Sequence, residues 1–548
     1  MLKGSKGRKL FLSIFVSLTS LLLSAQQKAT YWITFKDKSN SEYSILEPSK
    51  FLSQRAINRR LKNNVAITIN DFPVSKSNVD SLSKTGIRIL YTSRWFNAAT
   101  IEVDDETIIP KIQKLSFVSS IEKTRDALNI KSDKQYSKNI FLESDEEIQV
   151  NQSEYGKGFT QINQLQGLYL HNKGYKGKSI LLALIDGGFF KADEYLGLTK
   201  TWNAGRILAT KDFVNIGGNG LNENRHGAIV LSTIASNLSD SLIGTAPEAS
   251  FLLLRSEDSQ TESLVECDNW IAAAEFADSA GVDIISSSLG YTTFDDSSFN
   301  FTYCNMTGEF ARSSIAAEIA SSKGIIVLAS AGNNGDDLWH YIGSPADSKD
   351  ILTIGAITSN REKASFSSYG PSADNRIKPD IMAMGKSVIA ELSPGSFSSI
   401  SGTSLSCPIT AGLTACLLQA FPNATATAIR NAILQSASQF NNPDNAMGFG
   451  IPDFEKAFEI LEESSTVYSK DYAFPNPFTS DVTIVNQCVN EPEITVECYT
   501  ITGEKVFTVI KNGGYTKLNQ EVKDLRNAVY FFRCIGKSET VCVKAVKL

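Results

Sequence analysis

Between about Gly156 and Glu463 the chain carries five short apolar runs: "SILLALID", "SFLLLR", "VDIISSSLG", "GIIVLASAGN" and "ILTIGAIT". A strand with one wet face alternates apolar and polar residues. These runs do not alternate, which predicts strands buried on both faces. Helical sequence separates them, and strands alternating with helices predict a parallel, doubly wound α/β sheet. Functional groups in such sheets gather at the carboxyl ends of the strands. The residues that end each run are therefore the first candidates for chemistry.

The flanks have other patterns. Residues 28–125 mix strand-like "YWITFKD" and "ATIEV" with helix-like "KFLSQRAINRRL" and "ETIIPKIQKL", which predicts a small α/β domain. Residues 126–155 are polar, contain the acidic "ESDEE" and show no core pattern, so they read as a linker exposed to proteases. From residue 470 to 548 short strands and turns predominate ("DVTIVN", "EITVECYTITGEKVFTV", "NAVYFFRC", "TVCVKAVKL"), predicting a small β-sandwich. Residues 1–25 combine Lys3, Lys6, Arg8 and Lys9 with an apolar run from Leu10 to Leu23 and then Ser24-Ala25. That is the layout of a secretory signal peptide. It is short for a membrane span, and no other long apolar run follows, so the expected mature protein is soluble.

At 548 residues the chain is too long for one core. A net charge of −6 gives no reason to expect a nucleic-acid partner. Export permits disulfides among the eight cysteines. Cys488, Cys498, Cys534 and Cys542 cluster in the tail and suggest a stapled domain with three open pairings, and Cys267 could pair with Cys304 or remain a thiol. None has metal-site spacing such as C-x-x-C, so no zinc site is expected.

Asp186 ends the first run and precedes Gly187-Gly188. His226, one of only three histidines with His171 and His340, begins the apolar helical stretch "HGAIVLSTIAS". The positive end of that helix is expected to lower its pKa and keep it a neutral base. Asn333 ends the fourth run, where a side-chain amide can donate to a developing oxyanion. Ser404, in "SGTSLSCP", begins a buried small-residue helix and reads either as a nucleophile or as a helix N-cap. The order Asp, His, Asn, Ser fits one arrangement of serine acyl-transfer groups, and the G-x-S-x-G of a hydrolase elbow is absent.

"LALIDGG", "RHGAIV", "ASAGNNG" and "SGTSLSCP" resemble the motifs of subtilisin-like serine proteases, the subtilases, with Gly187 and Ala228 as departures flanking the catalytic positions. The resemblance implies a subtilisin-like fold over 156–463 and a secreted serine endopeptidase. It makes Ser404 the nucleophile, His226 the base, Asp186 its orienting partner, and Asn333 with the Ser404 N–H the oxyanion hole. It places Ser288, Leu289 and Gly290 against the substrate backbone, and Ser330, Ala331 and Gly332 in the wall of a roomy primary pocket with a broad or apolar preference. No cofactor is required; family members often bind structural calcium, for which no ligands are assigned. Residues 28–125 resemble inhibitory propeptides of exported bacterial subtilases. The tail resembles the C-terminal sorting domain of type IX secretion. The implied partners are polypeptide substrates, the chain's own propeptide and the secretion machinery, with a monomer exported through the Sec route and then across the outer membrane. The alternative is an inert, surface-displayed binding protein on the same fold.

Overall fold

The computed structural model describes residues 28–39, 41–126, 141–142, 154–467, 472–486, 491–537 and 540–548. The expected signal peptide, most of the linker and Cys488 lie outside the described residues.

The N-terminal unit is a four-stranded antiparallel sheet of β1 (Ala29–Phe35), β2 (Arg88–Ser93), β3 (Ala98–Val103) and β4 (Val118–Arg125), in the order β2-β3-β1-β4. Alternation along β1 decides its two faces. Ala29, Tyr31, Ile33 and Phe35 fill the unit's own core, while Trp32 packs into the core of the next unit. Helix α1 (Gln54–Lys62) starts at Ser53, whose side chain accepts the Ala56 N–H. In the linker, β5 (Phe141–Leu142) pairs antiparallel with a strand of the next unit.

That unit is built on seven strands, all parallel: β6 (Leu181–Asp186), β7 (Ile207–Asp212), β8 (Ser250–Arg255), β9 (Ile284–Ser287), β10 (Ile326–Ser330), β11 (Leu352–Ile357) and β12 (Ile381–Met384). Their order is β12-β11-β10-β9-β6-β8-β7, so the winding reverses on either side of β6. The unbroken apolar runs are explained by cover on both faces. Leu182 and Leu184 join one core with helix α2 (His226–Ala235); Leu181, Ala183 and Ile185 join the other with α3 (Val265–Ala280) and α4 (Arg312–Ser322). A β-hairpin of β13 (Val388–Ser393) and β14 (Ser396–Ser401) then leads into the buried helix α5 (Thr403–Ala420). The linker strand β5 lies on β14, Phe141 opposite Ser401 and Leu142 opposite Ile400.

The tail forms two antiparallel sheets, β15 (Tyr472–Phe474), β16 (Val482–Val485) and β19 (Tyr515–Leu518) against β17 (Ile494–Thr500), β18 (Lys505–Lys511), β20 (Val529–Ile535) and β21 (Thr540–Val546). Val482, Ile484 and Leu518 of one sheet meet Val496, Cys498 and Phe532 of the other in a shared core. Cys498 and Cys542 are free thiols, as are Cys267 and Cys304, so neither the expected staple through those two residues nor a Cys267–Cys304 bridge is present. Cys498 and Cys534 instead serve as small apolar fillers of the tail core. Among the described residues no helix is long and apolar enough to cross a membrane.

The N-terminal sheet is fastened to α3 by a buried ionic cluster that periodicity does not reveal. The Asp278 carboxylate takes Arg60 (2.9 Å), Arg94 (2.7 Å) and Arg59, all three arginines on the N-terminal unit. Arg60 is shared with Asp71 at 2.9 Å. One turn earlier, Glu275 accepts Ser93 Oγ (2.5 Å) and the backbone N–H groups of Arg94 (2.9 Å) and Trp95 (3.1 Å). Burial opposes the Asp278 charge, but the three guanidiniums outweigh it and hold its carboxyl below the usual carboxylate range. Removing one partner of a buried pair costs about 3–5 kcal/mol. Asp278→Asn is therefore expected to loosen the N-terminal unit by a factor of hundreds or more. Hydrogen exchange on the full chain should show faster α3 amides in Asp278→Asn and unchanged ones in Lys76→Ala, which breaks only an exposed pair.

Candidate active site

Asp186 is the last residue of β6 and is 1% exposed. One of its oxygens accepts the Gly187 N–H (2.8 Å) and faces His226 Nδ1 at 2.6 Å. His226 is the first residue of α2, and its backbone N–H is capped by Asn224 (2.8 Å). Two glycines let the Asp-bearing and His-bearing segments approach. A Cβ on Gly188 would lie 2.1 Å from the Glu223 carbonyl, and one on Gly227 would lie 2.6 Å from the Gly188 carbonyl, which the Gly227 N–H itself contacts at 2.8 Å.

The ring's electrostatics correct the helix-end expectation. Burial does oppose charging of His226, but the Asp186 carboxylate beside it, with Glu257 further off, raises its pKa above the ordinary histidine value. A contact carboxylate at hydrogen-bond distance outweighs the partial charge of a helix end. With Nδ1 committed to Asp186, the second ring nitrogen is the one available to the cleft.

Ser404 is the second residue of α5, behind Gly402 at the cap position, where no side chain caps the helix. The N-cap reading of Ser404 is thereby excluded. Its hydroxyl donates to the Ser288 carbonyl at 3.5 Å. In return Ser288 Oγ donates to the Ser404 carbonyl at 2.9 Å. The sequence explains this second bond. The Ser404 carbonyl would ordinarily accept the N–H of residue 408, and Pro408 has none, so the hydroxyl of Ser288 takes its place. Thr403 donates both its N–H and its hydroxyl to Asn333 Oδ1, each at 2.8 Å. That fixes the Asn333 amide with its NH2 as the donor end. Ser404 is thus keyed to the end of β9 and, through Thr403, to the loop after β10.

These groups line one cleft of about 420 Å³ at the carboxyl edge of the sheet. His226, Asn333 and Ser404 line it, as do all six residues expected to meet substrate: Ser288, Leu289, Gly290, Ser330, Ala331 and Gly332. The other histidines are elsewhere. His171 is buried between the Tyr155 hydroxyl (2.9 Å) and the Thr245 carbonyl (3.0 Å), and burial pushes its pKa down to about 4. His340 stacks on Tyr369. Cys407, left without a role by the sequence, packs its thiol against Ser286 and Ser287 beneath the site.

The Subtilase family matches residues 177–450, half of the chain and the whole segment that bears these groups. The chain belongs to the subtilase family. The subtilase is flanked by a match to the Peptidase S8 propeptide domain, Bacteroidota, over residues 30–139, and by a secretion system C-terminal sorting domain over 472–547. It is similar to subtilisin E of Bacillus subtilis (strain 168), 29% identical over 367 residues, 66% of this chain and 81% of the relative. Subtilisin DY of Bacillus licheniformis is 29% identical over 275 residues, 49% of this chain and 88% of the relative. The serine protease AprX of Bacillus subtilis (strain 168) is 28% identical over 328 residues, 54% and 70% respectively. The subtilase is therefore a serine endopeptidase, made as a precursor with a propeptide and a type IX sorting domain that directs secretion and cell-surface export.

One wall of the cleft was not foreseen. Glu257, Asp258 and Glu262 follow β8 and line it. The acidic spacing in "SEDSQTESLVE" directly after a strand end is the signal that could have drawn attention to them. A measurement follows from the ring electrostatics. Nuclear magnetic resonance titration of Ser404→Ala protein should find His226 above the ordinary histidine value and His171 well below it. Asp186→Asn should bring His226 down and leave His171 unmoved.

Proposed function

We propose that this secreted subtilase hydrolyses peptide bonds by acyl transfer through Asp186, His226 and Ser404. In this reading Ser404 Oγ attacks the scissile carbonyl carbon as His226 takes its proton. The C–N bond then breaks and His226 returns that proton to the leaving amine. Water, deprotonated by the same ring, attacks the acyl ester and frees Ser404. Asp186 holds the ring and stabilises its cation. The Asn333 amide and the Ser404 N–H, one of the helix-start donors with no intrahelical partner, receive the oxyanion. Ser288, Leu289 and Gly290 pair with the substrate backbone, and Ser330, Ala331 and Gly332 leave room for a broad or apolar primary side chain. The observation that carries this reading is the 2.6 Å contact of His226 with Asp186 in the cleft that Ser404 and Asn333 also line. One chain supplies every group, so the reading needs no second copy. Residues 1–25 act as the Sec signal peptide, and the tail is removed after outer-membrane passage.

Ser404→Ala is expected to lower kcat by about 10⁶-fold, the order found for loss of the nucleophile or its base in this family. Asn333→Ala should cost about 10²–10³-fold. Normal peptidase activity in purified Ser404→Ala protein would overturn the reading.

The propeptide is cut in cis on the N-terminal side of Phe141. Two observations support this. The propeptide match ends at residue 139. The antiparallel pairing of Phe141 with Ser401 points the N-terminal end of β5 toward Ser404, three residues further along. Added-strand pairing of this kind is how extended peptides dock on a sheet edge. Mass analysis of the matured wild type should find a new N-terminus at Ile140 or Phe141, and Ser404→Ala should remain uncut. Equal trimming of both would assign the cut to another protease.

A further inference from the structure

The unforeseen acidic wall continues inward. Glu257, Glu262 and Glu266 each place a carboxylate oxygen within 4.8 Å of those of the other two. Glu262 is 2% exposed and Glu266 is 1% exposed. Three carboxylates at that separation, two of them buried and Glu257 half-buried, repel one another, and a cation among them relieves that repulsion.

A second observation points the same way. Tyr291 is fully buried, and its hydroxyl has no hydrogen-bond partner among the described residues. Glu257, Cys267, Glu266 and Glu262 are its electrostatic neighbours. The hydroxyls of Ser256 and Thr261, next in sequence to Glu257 and Glu262, are likewise buried without a partner. Native interiors rarely leave such groups unsatisfied, and of these hydroxyls Tyr291 is the one the three carboxylates act on.

We propose that Glu257, Glu262 and Glu266 hold a hard divalent cation of the calcium type, with the Tyr291 hydroxyl facing it. The donors are oxygens, three of them on carboxylates, and no imidazole or thiolate belongs to the group, which suits calcium rather than a zinc-like ion. The cation would join three segments of one cleft wall. Glu257 and Glu262 lie on the loop after β8, and Glu266 is in the first turn of α3. Tyr291 directly follows Ser288–Gly290. The loop is already tied to that last segment, since the Glu262 N–H donates to Asp295 (2.9 Å) and the Asp295 N–H to the Glu262 carbonyl (2.8 Å). An ion there stiffens the wall against which substrate lies, whatever groups carry out the reaction.

The test uses the full chain with Ser404→Ala, to prevent self-digestion, stripped with a chelator. Calcium should raise its melting temperature by about 5 °C or more, and an excess of chelator should reverse the gain. Calorimetric titration should show one bound calcium fewer, or about ten- to hundred-fold weaker binding, in Glu262→Gln and in Glu266→Gln than in the parent. Terbium luminescence excited through tyrosine gives a reading that does not depend on those variants folding, and it should fall in Tyr291→Phe. A melting temperature indifferent to calcium, calcium binding equal in the parent and both glutamine variants, or undiminished terbium emission in Tyr291→Phe would each overturn the site. So would a cluster that binds an arginine peptide and no calcium, which would make it a pocket for a basic substrate side chain.

Discussion

The start of α5 is the constraint on which the site depends. A helix buried almost along its whole length delivers Ser404 to the sheet edge, and its first residues are keyed to two separate strand ends. Thr403 grips the Asn333 amide, and the Ser404 carbonyl takes the hydroxyl of Ser288. Each of these bonds positions a group for which the other has no use alone. The Thr403 bonds turn the Asn333 donor end, and the Ser288 bond holds the segment after β9 against the Ser404 backbone. Pro408 makes the second bond available by removing the N–H that would otherwise occupy that carbonyl. A residue that looks like a helix defect thereby becomes part of the site's positioning.

The sheet supplies the rest of the frame. Because the winding reverses around β6, the loops that follow β6, β8, β9 and β10 converge on one edge. Asp186 ends β6 itself, and the acidic wall, the Ser288–Gly290 segment and Asn333 come from the loops after β8, β9 and β10 respectively. The apolar runs made this architecture legible in the sequence, since a strand that is apolar at every position must be covered on both faces. The positions of Asp186 at a strand end and of His226 and Ser404 at helix starts were legible for the same reason, whereas Asn333, read as a strand end, lies in the loop three residues past the end of β10. What was not legible depends on contacts between distant segments. The pKa direction of His226 turns on a carboxylate 40 positions earlier in the chain. The Glu257, Glu262 and Glu266 cluster looks like ordinary loop and helix acidity until the chain is folded. The tail cysteines read as a staple because of their density, whereas Cys498 and Cys534 point into a core that already has apolar partners.

The N-terminal unit makes use of the same catalytic scaffold from outside. Its arginines converge on Asp278 of α3, and Trp32 enters the core beneath that helix. An ion cluster buried on both sides holds firmly while both partners are present, and leaves uncompensated charges if either is lost. The linker strand lies on β14, the strand that leads into the helix carrying Ser404.

The most direct test of the account is covalent labelling of the matured protein with a serine-directed fluorophosphonate, followed by peptide mapping. The account predicts a single labelled position, Ser404, with labelling lost when His226 is replaced by Ala. A folded protein that takes up no label, or one labelled at another serine, would contradict it.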